Sequence, residues 1–211
     1  MTINCKGEEL ILDKEKAIYW AAKKMLIISD LHIGKSAHFR KYGIPVPSTI
    51  GQQDLSRITK LLEQYTVNIL VVTGDMFHNR MNSDVELFRA WRMAHPELKL
   101  CLIKGNHDAL KEEDYAGLGI EVHAKEFLSY PFRFIHDGPQ TEDEYFNITG
   151  HIHPGITVYG KARQQLRLPC FYFSRNCAVL PAFSAFTGLS SIDAAAGDVF
   201  YAITPTKVVP V

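Results

Sequence analysis

Three short stretches of this chain are apolar at nearly every position rather than at every second one: Met25–Ile28, Val67–Thr73 and Leu98–Ile103. Continuous apolarity over so few residues marks a strand covered on both faces, which restricts the chain to layered α/β architectures. The segments between the runs have helical periodicity. Ser48 is placed to cap a helix reaching to about Tyr65, in which Ile50, Leu55, Ile58, Leu61 and Leu62 share a face. Ser83–Ala94 repeats the pattern with Val85, Leu87, Phe88 and Trp91 facing inward.

The flanks of this core have a different texture. Glu9–Leu12 and Ala17–Trp20, separated by the charged residues 13–16, read as a hairpin, and a loop carrying Gly43, Pro45 and Pro47 follows the first buried strand. From Ile120 onward the chain is β-rich, with turns expected at Gly138, Pro154-Gly155, Gly160 and Pro169. An alternating β/α half followed by a β-rich half predicts two stacked sheets flanked by helices, an α/β (α+β) chain. With 211 residues and no linker-like composition, one domain spanning 1–211 is expected.

The ends of the strands carry the chemistry. MLIIS leads into Asp30-Leu31-His32, and ILVVTG into Asp75. CLIKG leads into Asn106-His107-Asp108, FRFI into His136, and NITG into His151-Ile152-His153. Ligands of α/β proteins sit outside the carboxyl ends of strands, so these groups are expected to converge. Imidazole, carboxylate and carboxamide donors without thiolates suit Mn²⁺, Zn²⁺ or Fe²⁺, with Mn²⁺ the expected ion. Asp30, His32, Asp75, Asn106, His136, His151 and His153 make seven candidate ligands, too many for one tetrahedral ion and suited to two ions that share a carboxylate. Two metal ions together can activate water, orient a phosphate and neutralise charge in an in-line displacement. His107 is placed to protonate the leaving group. A lone D-x-H or a lone G-N-H-D would be weak, since a single histidine is more often a hydrogen-bonded core residue than a ligand. Here five such segments occur in order, and that decides for a metal site.

The series S-D-L-H (29–32), G-D (74–75), G-N-H-D (105–108), His136 and G-H-I-H (150–153) resembles the calcineurin-like metallophosphoesterase superfamily. The resemblance implies two mixed β-sheets sandwiched between helices. It also implies that Asp30, His32 and His153 bind one metal and Asn106, His136 and His151 the other. Asp75 would bridge them, and His107 would stabilise the transition state or act as the acid. A narrower resemblance, to the bacterial DNA-ligase-associated phosphoesterases, lies in D-L-H-I-G-K-S-A-H-F-R-K-Y-G-I-P-V-P (30–47), G-H-I-H-P-G (150–155) and P-A-F-S-A-F-T-G (181–188). It implies a DNA endonuclease acting in DNA repair, associated with a DNA ligase and a helicase. Two departures stand out: His78 occupies a position where an acidic residue is common, and Asp137 one where glycine is common.

The net charge is zero, so contact with a polyanion must come from a local patch rather than a global field. Lys35, Arg40 and Lys41, with His38, Phe39 and Tyr42 among them, form the leading candidate for a DNA-contacting loop, against the plainer reading of a solvated loop. Lys161, Arg163 and Arg167 form a second basic group for which the solvated reading is preferred, and His95 and His123 read as structural or exposed. Cys5, Cys101, Cys170 and Cys177 form no C-x-x-C pair, as expected of reduced thiols in a cytoplasmic protein. Neither a signal peptide nor a membrane-spanning run is discernible. The competing functions are a small-molecule phosphoesterase, which the same core would serve, and a non-catalytic scaffold, which an eroded ligand set would betray.

Overall fold

The structure is a computed structural model describing residues 1–78, 82–137, 144–160 and 164–211. The turn expected at Gly138 and the basic residues Lys161 and Arg163 lie outside the described residues.

Seven strands form the first sheet in chain order: β1 (Thr2–Cys5), β2 (Glu8–Asp13), β3 (Ala17–Trp20), β4 (Met25–Ile28), β5 (Ile69–Thr73), β6 (Lys99–Ile103) and β7 (Ile120–His123). β1 to β4 form an antiparallel meander; β4 to β7 run parallel. Parallel neighbours need crossovers. The first two contain α1 (Lys35–Lys41) with α2 (Ile50–Gln64), then α3 (Ser83–Met93), and α4 (Glu112–Gly117) precedes β7.

The second sheet uses β8 (Glu126–Ser129), β9 (Phe132–Ile135), β10 (Phe146–Thr149), β11 (Gly155–Tyr159), β12 (Gln165–Phe173), β13 (Cys177–Val179), β14 (Val199–Ile203) and β15 (Val208–Pro210). Its order is β15-β14-β12-β13-β10-β9-β8, with β11 paired to β12. β9, β10 and β13 are parallel.

Side chains alternate between faces along a strand, so continuous apolarity in the middle of the first sheet serves two cores at once. Ile27, Val71, Cys101 and Ile103 face the second sheet, where Phe132, Phe134, Ile148 and Phe171 meet them. Leu26, Ile28, Val72 and Leu102 face outward against Leu55, Ile58 and Leu61 of α2, Val85, Phe88 and Trp91 of α3 and Tyr115 of α4. The outer face of the second sheet carries a smaller cluster of Tyr172, Cys177 and Val179, against which Ile192 and Phe200 pack. All four cysteines are free and buried.

The structure differs from the sequence reading in two places, the segment after Gly34 and the cap of α2, and gives His123 the structural role read for it. The segment after Gly34 is helical and not a loop. Its first turn is held from outside, where Asp84 of α3 accepts hydrogen bonds from Ser36 Oγ (2.7 Å) and Ala37 N (3.1 Å). α2 starts at Ile50 behind Thr49, whose side chain makes no capping bond, so Ser48 is not the cap. His123 ends β7, packs on Phe127 (5.0 Å between centroids) and lies 3.0 Å from Glu121.

Candidate metal centre

The strand-end residues of both sheets meet at one rim. Asp30 follows β4 and Asp75 follows β5, and the two turns are laced together: Asp30 N donates to the Gly74 carbonyl (3.1 Å) and His32 N to the Asp75 carbonyl (2.9 Å). The second sheet joins through His151, whose backbone N–H donates to Asp30 Oδ2 (3.1 Å). Gly150 makes this approach possible, because a Cβ there would stand 1.7 Å from Ser29 Oγ. At Gly74, with φ +86°, a Cβ would stand 2.0 Å from His136 Nδ1. Asp30, His32, Asp75, His151 and His153 all hold left-handed backbone angles, φ between 49° and 68°.

Two groups result whose ligand atoms lie within 4.8 Å of one another and could each hold a metal ion: Asp30, His32 and His153, and Asp75, His136 and His151. In the first, Asp30 Oδ1, both ring nitrogens of His32 and His153 Nε2 are buried without a hydrogen-bond partner among the described residues. His153 Nε2 and Asp30 Oδ1 are 3.0 Å apart yet not aligned as a hydrogen bond. Leaving such groups unpaired costs about 1–3 kcal/mol each, and a shared cation would satisfy Asp30 Oδ1, His153 Nε2 and one ring nitrogen of His32 together. Burial pushes His32 down to about 3, so its ring is neutral and its lone pair available.

The second group is knitted to itself. His136 Nδ1 donates to the Thr73 carbonyl (2.9 Å), which turns Nε2 toward Asn106 Oδ1 (3.1 Å), His151 Nδ1 (3.2 Å) and Asp75 Oδ2 (3.5 Å). A hydrogen bond of this kind from the far ring nitrogen is how ligating histidines are usually oriented. Burial alone would raise the Asp75 carboxyl. The hydrogen bonds from His136 and from His107 N (2.8 Å), with the charge of His136, instead hold it down at about 2. Burial would likewise lower His136, but Asp75 and the Thr73 carbonyl raise it to about 9. Asn106 and His151 are exposed, so this side of the rim is open to solvent.

All seven candidate ligands are therefore gathered, and His107 stands beside them with its ring 5.6 Å from that of His32. His78, read from the sequence as a departure and, three residues past Asp75, as a weak candidate to orient a ligand, is at the same rim, 5.0 Å from His107 and 6.1 Å from His32, and burial lowers it to about 4. That spacing was the available signal. Asp108 escaped the reading: buried, it accepts from Phe77 N (2.8 Å) and Gly105 N (2.9 Å), tying the turn after β6 to the turn after β5. Burial outweighs those bonds and raises it to about 6.

The basic loop divides. Lys35 lies close enough to feel Asp30 and Asp75, though burial outweighs their pull and lowers its pKa. Arg40 is drawn into the fold, reaching Asp84 (3.4 Å) and the Pro47 carbonyl (3.3 Å), while Lys41 is exposed. Arg167 hydrogen-bonds the Leu189 carbonyl (2.7 Å). The ligand atoms of a third group, Cys101, Glu121 and His123, are as close together, but Lys99 Nζ already sits 2.8 Å from Glu121.

The sequence profile of calcineurin-like phosphoesterases matches residues 23–175, the stretch that supplies all seven candidate ligands. The chain belongs to the calcineurin-like phosphoesterase family. Members of this family are metal-dependent phosphoesterases, so the chain is a hydrolase by membership. Among solved structures, this calcineurin-like chain superposes on the nuclease MPE of Pseudomonas putida with a TM-score of 0.83 and 32% identity, covering 100% of this chain and 99% of that one. A protein of unknown function from Aquifex aeolicus aligns at TM-score 0.43 and 20% identity over 65% of this chain and 81% of its own. No curated protein matches. Among the described residues, no helix is long and apolar enough to cross a membrane.

Proposed function

We propose that this calcineurin-like phosphoesterase is a two-metal phosphodiesterase that cuts DNA internally, a single-domain cytoplasmic endonuclease serving DNA repair alongside a DNA ligase and a helicase. The observation that carries the reading is the pairing of two donor groups at one rim with end-to-end similarity to a nuclease. In this reading Asp30, His32 and His153 hold one ion, Asn106, His136 and His151 the other, and Asp75 lies between them. Mn²⁺ is the expected ion, because an all N/O donor set suits it. When bound, the pair of ions supplies an activated water and positive charge for the phosphate.

The chain's own residues do the rest. His107, fixed through its backbone N–H to Asp75, is placed to give a proton to the departing oxygen. His78 and His32 hold the His107 ring in a packed imidazole cluster. Lys35, with Lys41 and a smaller share from the tethered Arg40, meets the backbone phosphates. Because those contacts are few, affinity should fall with salt along a shallow slope, corresponding to roughly two to four phosphates.

The test is a substrate panel with Mn²⁺: plasmid DNA, single-stranded DNA, a chromogenic diester and a monoester. DNA and the diester are expected to be cleaved in clear preference to the monoester. Ready hydrolysis of monoesters or free nucleotides with both DNAs left intact would overturn the nuclease reading.

A further inference from the structure

The motif Pro181–Gly188 contributes none of the seven ligands, yet it is bound to the site more tightly than a connecting loop needs to be. Phe183 N donates to the Ser29 carbonyl (2.8 Å) and Ser184 N to the Asp30 carbonyl (3.2 Å), so the segment runs beside the first ligand turn. Arg57 of α2 clamps it from behind. Its guanidinium donates to the Phe183 carbonyl (2.8 Å), to Asp54 (3.0 Å) and to Glu15 (2.7 Å), and lies 4.2 Å over the Phe183 ring. Asp54 in turn accepts from Ala185 N (3.3 Å), and Lys16 Nζ donates to the Ser184 carbonyl (3.3 Å).

This clamp sends the two phenylalanines of the motif to different places. Phe183 is fully buried in the outer core of the first sheet. Phe186, its N–H held by Ser184 Oγ (3.2 Å), stays partly exposed and meets Phe39 of α1 edge-on at 5.5 Å. Between them is an open groove of about 380 Å³, lined by Lys35, Phe39, Ala185, Phe186, Thr187 and Gly188. The Lys35 ammonium is 5.8 Å from the Phe186 ring centre. The groove borders the rim: its residues Lys35 and Phe186 also line a narrow adjoining crevice that reaches His32 and Ser184.

An aromatic wall that is held in place, left partly bare and ended by a cation beside the phosphate chemistry is a surface with both a π-face and a charge. Such a surface suits a flat ring attached to a phosphodiester. We propose that Phe186, with Phe39, is the specificity-determining pair that receives a nucleobase flanking the cleaved phosphate. The proposal rests on the reading of the chain as a DNA-cleaving phosphodiesterase. Arg57 acts at one remove as a positioning residue, holding the loop that presents Phe186.

The experiment pairs Phe186→Ala with a short DNA oligonucleotide in which the bases around the cut are replaced, one at a time, by an abasic unit. With the normal oligonucleotide, Phe186→Ala should lower kcat/KM by about 10- to 100-fold, the range set by losing one base–aromatic stack. Removing the flanking base should cost the wild type as much, and the two losses should not add, which is the mark of a direct contact. Phe186→Trp should restore cleavage. Losses that add at every abasic position would overturn the proposal, and so would an equal loss on methyl nitrophenyl phosphate, which carries no base. If the wild type cuts no oligonucleotide, the DNA reading falls. Thymidine nitrophenyl phosphate against the methyl ester then decides the groove on its own: a selective loss with Phe186→Ala supports it, and an equal loss overturns it.

Discussion

The two donor groups at the rim solve the same problem in opposite ways. Around Asp30, His32 and His153, buried nitrogens and an oxygen point at one another without pairing. Around Asp75, His136 and His151, the side chains close an internal network in which Asp75 and His136 form an ion pair. The first group is held open by its backbone, the second by competing partners. Preorganisation for a cation therefore does not require one geometry. It can consist of unsatisfied atoms locked in place, or of satisfied atoms that must exchange one partner for another.

The severest test of this comparison is Asp75→Ala. Because in the proposed reading the Asp75 carboxylate serves both ions, and it also holds the turn after β6 through His107 N (2.8 Å), losing it should take turnover to the detection limit and lower metal content in both groups, measured by elemental analysis of activated protein. If one full equivalent survived, the groups would be independent and the comparison would break. His107→Ala should do less: a loss of about 10²–10⁴ in kcat, the usual scale for a general acid, with metal content intact. That loss should shrink for a nitrophenolate leaving group, which needs no proton. Metal-free His107→Ala protein would move this residue from the chemistry to the scaffold.

A smaller effect separates the groups by pH, read as Tm in the presence of a chelator. His136 is raised to about 9, so its ion pair stabilises fully below the ordinary histidine pKa and is lost as pH rises through about 9. His32 is lowered to about 3, so the stability that comes from keeping it neutral is present above the ordinary value and is lost as pH falls toward 3. Each kcal/mol corresponds to about 2–4 °C in a chain of this size. His136→Gln should flatten the alkaline limb and His32→Gln the acid limb; a variant that flattens the other limb would reverse the assignment. Smaller again, and shared by both groups, is Asp108→Ala. It leaves Phe77 N and Gly105 N without their acceptor, at a cost on the order of 1–3 kcal/mol for each group, visible in urea unfolding.

What the sequence made legible follows from how far each signal travels along the chain. Met25–Ile28 reads as a strand because burial on both faces is written in four consecutive letters. The candidate ligands read as a set because each follows a strand the sequence predicts. α1 did not read, because its cap is Asp84, more than forty residues away, and its own N-cap position is Gly34. His78 read only weakly and Phe186 only as part of a motif, because their meaning is a neighbour: His107 across the rim for one, Phe39 of another element for the other. Arg40 sits in a basic run that looks uniform, and only the fold shows its guanidinium turned toward Asp84.

The left-handed angles at Asp30, His32, Asp75, His151 and His153 have one more consequence. Each costs roughly 1–2 kcal/mol for a residue with a side chain. Five together amount to about 5–10 kcal/mol, of the same order as the net stability of a whole domain. The rim is thus a spring held compressed by the two cores behind it. Glycine at any of the five positions would relax that spring while deleting a donor. Selection of this protein for heat resistance alone would drift toward well-folded, inactive chains, and any effort to harden it should screen for turnover at every step.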